Sequence, residues 1–399
     1  MKARSTLCFG AILLVAAFAA AQAGRLPAGS PCGPTPSPST TLFVNWPEFH
    51  SDASRSGCNP YESILGPSTV GNLMLKWKYT TDPFGSIDSS PAVSNGVIYF
   101  GAGDDFLYAV NARTGATLWT YKTGAGIISS PAVANGVVYI SSMDRTTYAL
   151  NASTGALIWQ SGVGYYYHSS PAVADGLVYI NAGDTVALNA STGAVVWHYP
   201  ANALETSPAV VNGVVYVSSD GSAGQGNGNV YALDAQTGAL LWTYATGANY
   251  VTSSPAVVNG VVYVGSSDFF VYALNASTGT LIWKQPVSYE VISTPAVANG
   301  KIYLGSNRAV FALDAATGAI QWVYFTGDYV FSSPAVANGV VYVGSRDGNI
   351  YAFDAQAGAL LWNYATQNEI NYSSPAVVNG MLYIGSDDTN FYAFSLPGK

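Results

Sequence analysis

One tetrapeptide, Ser-Pro-Ala-Val or Thr-Pro-Ala-Val, occurs eight times, with its proline at Pro91, Pro131, Pro171, Pro208, Pro255, Pro295, Pro334 and Pro375. The spacing stays near 40 residues, so the chain is an array of one repeated unit rather than two or three unrelated domains. Soon after each proline comes an Asn-Gly or Asp-Gly pair, from Asn95-Gly96 through Asp175-Gly176 to Asn379-Gly380. Such pairs accept positive φ at both central positions of a type I′ turn, which predicts an antiparallel hairpin of strands A and B.

Strand B is followed by a short polar loop and an apolar strand C such as Val271-Tyr272-Ala273-Leu274. Next comes a turn such as Asn275-Ala276-Ser277-Thr278-Gly279, then a strand D carrying Trp283. The turn begins with Asn or Asp at Asn111, Asn151, Asn189, Asp234, Asp314 and Asp354 as well; these side chains bond turn backbone, and the glycine takes a left-handed conformation.

A four-stranded sheet with apolar residues on both faces cannot stand alone in water, so eight of them are expected to stack around an axis. The predicted fold is all-β, an eight-bladed β-propeller of four-stranded antiparallel blades. The strand D tryptophans Trp77, Trp119, Trp159, Trp197, Trp242, Trp283, Trp322 and Trp362 are read as structural. Each buries ~150–250 Å² between blades, at most roughly 4–6 kcal/mol. The last repeat ends after strand C, whereas Trp77 precedes the first repeat proline. Residues 72–79 are therefore expected to supply the missing strand D of blade eight and remove an open sheet edge.

The segment Ala-Leu-Asn/Asp-Ala-x-Thr-Gly-x-Leu-x-Trp, as at 232–242 and 273–283, resembles the tryptophan-docking repeat of the quinoprotein (pyrroloquinoline quinone, PQQ) dehydrogenases and their relatives. The resemblance covers about 72–394. Trp46-Pro47-Glu48-Phe49 with Asp52, Arg55 and Gly57 is similar to the segment that leads into the array in this family. Membership implies either of two functions, because the family holds both dehydrogenases and proteins without a cofactor, such as the propeller subunit of the outer-membrane assembly machinery. The dehydrogenases commonly carry a vicinal disulfide over the quinone, a calcium ion and a catalytic aspartate. This chain has no adjacent cysteines.

Residues 1–23 combine Lys2 and Arg4, an apolar run from Ala11 to Ala21 and the small-residue pattern Ala21-Gln22-Ala23, the pattern of a cleavable secretory leader. The run is shorter than the ~20 residues of a spanning helix, so no membrane insertion of the mature chain is expected. Export makes Cys32 and Cys58 candidates for a disulfide, in a periplasmic or secreted protein. Residues 24–71 comprise a Pro/Ser-rich tether and the lead-in segment, and 72–399 the propeller. With 9% charged residues and a net charge of −8, the surface repels nucleic acid.

Counting back from each repeat proline, the fourth position is mostly apolar: Ile87, Ile127, Tyr167, Leu204, Val251, Val291, Val330 and Asn371. The third reads Asp88, Ile128, His168, Glu205, Thr252, Ile292, Phe331 and Tyr372, and strand alternation puts it on the other side. The fifth adds Tyr166, Tyr250, Glu290 and Tyr329. Asp88, Tyr166, His168, Glu205, Tyr250, Glu290, Tyr329 and Tyr372 are thus the candidate ligand-binding residues at a channel mouth. Asp88, His168 and Glu205 come from blades one, three and four, and close convergence on one ion is not expected; they read as polar channel lining, with no metal site and no catalytic residue. His50 and His198 have no partner pattern. The insertion from Asp220 to Asn229 lacks the Lys-Ser/Thr of a phosphate cradle and reads as a loop.

These features point to a non-enzymatic binding or assembly scaffold without cofactor, monomeric unless part of an envelope complex, that holds a protein or polymer on its mouth face. The alternative implied by the resemblance is a PQQ- and calcium-dependent dehydrogenase of an alcohol or sugar.

Overall fold

At the first hairpin Asn95 and Gly96 take φ of 51° and 76°, which sets the register Ala92↔Tyr99, Val93↔Ile98, Ser94↔Val97. In the computed structural model, which describes residues 45–164, 168–219, 228–247 and 250–398, every repeat opens with this hairpin. Blade one then adds strand C, Phe106–Asn111, and strand D, Thr117–Lys122, to strands A, Ala92–Ser94, and B, Val97–Gly101. Eight such sheets form the propeller. Blade three departs slightly: its B and C portions run on as one strand, Leu177–Asn189, because only a short link through Gly183 joins them.

The ring closes as the sequence predicts. Met74–Thr80 pairs antiparallel with Asn390–Ser395, the strand C of blade eight, and so supplies its strand D. Between blades, seven of the eight strand D tryptophans lie on the C–D turn of the next, and Trp362 is the exception. Gly279 has φ of +70°, and a Cβ there would stand 2.6 Å from the Trp242 ring, so both backbone and neighbour exclude any other residue. The carbonyl of Ala276 in that turn accepts hydrogen bonds from Trp242 Nε1 at 2.9 Å and from the Tyr216 hydroxyl at 3.1 Å. In every blade strand D slips register by one residue just before its tryptophan. The extra residue, such as Leu118, Ile158 or Leu241, faces solvent, and such bulges twist an open edge away from further pairing.

Two rings of hydroxyls line the inner strands. At seven of the eight repeats the serine just before the proline accepts the backbone N–H of its counterpart in the preceding blade, from Ser90 N to Ser130 Oγ at 3.0 Å around to Ser374 N to Ser90 Oγ at 2.9 Å. At six repeats the residue before that accepts an N–H of its own strand B, as Ser129 does from Ser141. The constant Ser/Thr of the repeat is thus a bonding device that sequence pattern alone did not expose.

The lead-in segment has a role the sequence only hinted at. It winds around the axis, and its polar groups meet strand A of all eight blades in chain order. Carbonyls of Trp46 and Pro47 accept from Val93 and Val133, the Glu48 carboxylate from Val173, and carbonyls of Ala53, Ser54, Ser56 and Gly57 from Val210, Val257, Val297 and Val336. The Asn59 amide closes the circuit on the Val377 carbonyl at 2.8 Å. Positive φ at His50, Ser51 and Arg55 gives the segment its tight curvature. Arg55 is wholly buried and donates to the carbonyls of Phe49, Ser170, Pro171 and Pro208. His50 has Nδ1 and Nε2 each 2.8 Å from a carbonyl oxygen, of Arg55 and Pro334; burial outweighs these bonds and lowers its pKa to about 4, and a neutral ring donates to one of the two carbonyls. Cys58, at the end of this clasp, is disulfide-bonded. The expected partner Cys32, the leader, the tether and most of the 220–229 insertion lie outside the described residues.

Candidate functional site at the propeller mouth

In five blades the D–A loop enters through a buried apolar residue at the fourth position before the proline, while Leu204 of blade four is half-buried. Ile87, Ile127, Val251, Val291 and Val330 are buried there. Blade eight corrects this frame: Ile370, one residue earlier, is buried against Gly344, while Asn371 turns its amide to Asp387 Oδ2 at 3.3 Å. The following residue points the other way. Asp88, Ile128, His168, Glu205, Thr252, Ile292, Phe331 and Tyr372 all line one axial channel of about 60 Å³. Asp88, His168 and Glu205 thus line one channel without forming a cluster of three metal-ligating side chains among the described residues. Phe49 of the clasp lines the channel as well.

Aromatic rings narrow the channel mouth. His168 of blade three reaches across to Tyr372 of blade eight, with ring centroids 4.0 Å apart. Tyr372 stacks on Phe331 at 5.5 Å, and Phe331 on Tyr329 at 5.5 Å. Arg346 lies over Tyr329 and Phe331 but is held by Glu369 at 2.7 Å.

The channel's polar groups are hydroxyls, two carboxyls and an imidazole. Asp88 pairs with Asp387, a B–C loop residue that counting back from the prolines could not find. Burial raises both carboxyls, and the Asp88 charge helps push Asp387 up to about 7, so the pair holds a shared proton in neutral solution. Burial lowers His168 to about 4 and leaves a neutral imidazole. Asp88 Oδ1, Asp387 Oδ1, His168 Nδ1 and Thr252 Oγ1 are buried without a hydrogen-bond partner among the described residues. No arginine or lysine lines the channel.

Next to the mouth, and sharing Ile292 and Phe331 with it, lies an open groove of about 580 Å³. Phe269, Tyr289, Glu290, Asn307, Arg308 and Tyr329 line its walls. Its loops are tied down by backbone: Val330 N–H donates to the Asn307 carbonyl, Ser306 Oγ to the carbonyls of Tyr289 and Glu290, and Arg346 N–H to that of Tyr329. Glu290 and Tyr329 thus belong to this groove. Tyr250 lines neither space, although its carbonyl accepts from Ser267; Tyr166 lies outside the described residues. His198 is on the surface beside Asp184, and no cluster of three metal-ligating side chains occurs among the described residues.

The family model described as outer membrane protein assembly factor BamB matches residues 69–222, 154–248, 226–331 and 327–398, nearly the whole array. The chain belongs to the PQQ-like β-propeller family. Within that family it is 31% identical over 77 residues to the quinohemoprotein alcohol dehydrogenase of Comamonas testosteroni. That match covers 19% of this chain and 11% of the enzyme. Among solved structures, a europium-containing methanol dehydrogenase superposes with a TM-score of 0.77 at 15% identity, covering 89% of this chain and 99% of the other. BamB from Moraxella catarrhalis gives 0.67 at 20% identity, covering 82% and 98%. At these identities the superpositions describe the shared propeller fold. Among the described residues no helix is long and apolar enough to cross a membrane.

Proposed function

We propose that this PQQ-like propeller is an exported, non-enzymatic binding scaffold that docks a protein or polymer on the face carrying its D–A loops. The observation that carries this reading is the contrast between the two spaces on that face. The axial channel, where the family resemblance implies a quinone, has about 60 Å³, against ~300 Å³ or more for ordinary small-molecule pockets. PQQ is also a fused-ring tricarboxylate, and here it would meet Asp88 and Glu205 with no cation in the channel wall. The residues present do not fit that group. The adjoining groove, in contrast, is open, preformed and lined by partly exposed Phe269, Tyr289 and Tyr329, which suits an extended surface contact.

The test uses a photo-cross-linking amino acid at position 289 on the mouth face and, separately, at Ser277 in a C–D turn on the opposite face. Capture of one defined species from the native envelope at 289 but not at 277 is expected. Capture only from 277 would overturn the assignment of the face. Adding calcium and PQQ is expected to give neither a bound-quinone absorbance nor dye reduction with alcohols; stoichiometric binding with turnover would replace the scaffold reading with the dehydrogenase one.

A further inference from the structure

The axial channel combines three properties. It is narrow, Phe49 of the clasp is among its lining residues, and its wall holds carboxylate oxygens but no cationic side chain among the described residues. Asp88 Oδ1, His168 Nδ1 and Thr252 Oγ1 are buried and without partners among the described residues. Buried polar atoms are nearly always bonded, and each of these three is able to accept, so together they call for a guest that brings donors. The walls beside them are flat rings, Tyr372, Phe331 and His168, stacked at the opening. Ring faces attract cations and pack along methylenes.

We propose that the axial channel receives a primary ammonium on an unbranched alkyl stem, the chemistry of a lysine side chain, with Asp88 as its ionic partner. This rests on the docking reading above and names what the docked partner inserts. An ammonium carries three donors and no acceptor, so it is able to donate to Asp88 Oδ1 and to the other unpartnered atoms that it reaches. The narrow space of about 60 Å³ suits an unbranched head and stem better than a branched or ring-bearing group. Arginine fits poorly, because its planar fork needs a wider slot with paired acceptors. A divalent metal fits poorly too, since no three His, Cys, Asp or Glu side chains converge among the described residues. The net charge of −8 attracts cationic partners toward the chain as a whole.

Charge bookkeeping gives the proposal a signature. The titratable and charged groups around the guest are Asp88, Glu205, His168, Tyr372 and Asp387, with Glu369 and its partner Arg346 behind them at the rim. The Asp88 and Asp387 pair keeps a proton while no cation is present, and an incoming ammonium favours loss of that proton. Binding therefore releases close to one proton near pH 6, and almost none at pH 8, where Asp387 is already ionised. Affinity weakens as the pH falls below 7.

The experiment is calorimetric titration of the full mature chain with acetyl-lysine methylamide, its neutral isostere acetyl-norleucine methylamide, and 1,5-diaminopentane, in buffers of different ionisation enthalpy at pH 6 and pH 8. Both amines are expected to bind and norleucine not to. Asp88→Asn should weaken the amines at least tenfold, and Asp387→Asn should abolish the proton release while retaining binding. If Asp88→Asn does not fold, Asp387→Asn alone decides through proton release. Absence of amine binding up to ~10 mM, or equal binding of lysine and norleucine probes, would overturn the proposal. The two sources separate in the cross-linking experiment: loss of capture after acetylation of the partner's lysines points to a protein, and unchanged capture with diaminopentane competing points to a free amine. Capture at position 289 that neither acetylation nor diaminopentane alters would remove the channel proposal and leave the docking face standing.

Discussion

Trp362 of blade seven donates its indole N–H to the carbonyl oxygen of Leu73 at 3.1 Å, across a gap of 289 residues. In earlier blades the same indole bonds the C–D turn of the following repeat, as Trp322 does at Ala355. Blade eight has no such turn before its strand D, and the chain's N-terminal part substitutes for it. Deleting residues 72–79 removes both this acceptor and strand D of blade eight. The expected outcome is aggregation or loss of a single cooperative transition in thermal unfolding followed by circular dichroism; a soluble, equally stable deletion variant would sink the closure argument.

The seam also makes the tryptophans unequal. Trp242 Nε1 bonds Ala276, whereas Trp77 Nε1 is buried with no hydrogen-bond partner among the described residues. Trp242→Phe should therefore destabilise by about 1 kcal/mol more than Trp77→Phe in urea unfolding, the ordinary worth of one hydrogen bond. Either residue changed to Ala should lose about 3–5 kcal/mol through the cavity left behind.

Arg55 holds the clasp to the inner strands through four carbonyls and lies 3.7 Å from Glu48. Replacing it by Met strands those carbonyls and leaves Glu48 buried without its counter-charge. A loss of about 3–5 kcal/mol is expected, as for breaking other buried pairs. Arg55→Lys should recover little of it, because a single ammonium cannot reach carbonyls on opposite sides of a planar fork. A denaturant midpoint for Arg55→Met within error of the parent would show that the clasp is dispensable.

Much of this architecture was legible in the sequence, and the parts that were not share a cause. The repeat prolines gave the eight blades, the displaced Trp77 gave the closure, and counting back three positions gave eight of the sixteen residues that line the channel; the others are Phe49 and hydroxyl residues just before the prolines. Local spacing carries such information because each blade repeats the same backbone. Asp387, Asn307, Arg308 and Phe269 escaped because they sit on B–C connections, outside the register counted from the prolines, and reach the mouth face only after folding. The clasp escaped for a different reason: its partners are one residue from each of eight blades, a pattern that leaves no period in its own sequence. Asp88 and His168 line the same channel from blades one and three, and the contact of His168 with Tyr372 of blade eight is one that sequence separation does not reveal, because opposite walls of a ring are far apart in the chain.

The acidic pair predicts how stability depends on pH. Asp387 is raised to about 7 in the folded chain from an ordinary value of 3.8, so between roughly pH 4 and 7 the folded state binds the extra proton. Stability from this group is greatest below its unfolded pKa and falls as pH rises through 7. His50 and His168, lowered to about 4 from 6.5, slope the other way, adding stability as pH rises from 4 to 6.5. Asp387→Asn isolates the carboxyl contribution. Its melting temperature relative to the parent should improve on going from pH 5 to pH 8, and a constant difference over that range would refute the shared proton.

Tyr250 and Tyr329 occupy the same repeat position, yet their surroundings assign them different roles. Tyr250 is 39% exposed and lines neither the channel nor the groove. Tyr329 is similarly exposed but stacks on Phe331 and lies under the guanidinium groups of Arg308 and Arg346. Stacking of this kind contributes about 0.5–1.5 kcal/mol beyond burial, and exposed cation contacts about as much again at most. Tyr250→Ala should leave the melting temperature within about 2 °C and capture of the mouth-face ligand unchanged, as for a surface substitution away from packing. Tyr329→Ala should lower the melting temperature by several degrees and reduce capture as well, because it removes a wall of the groove and unsettles Phe331 at the channel mouth. Capture that survives Tyr329→Ala despite the lower melting temperature would make the ring purely structural and move the docking contact to Phe269 and Tyr289.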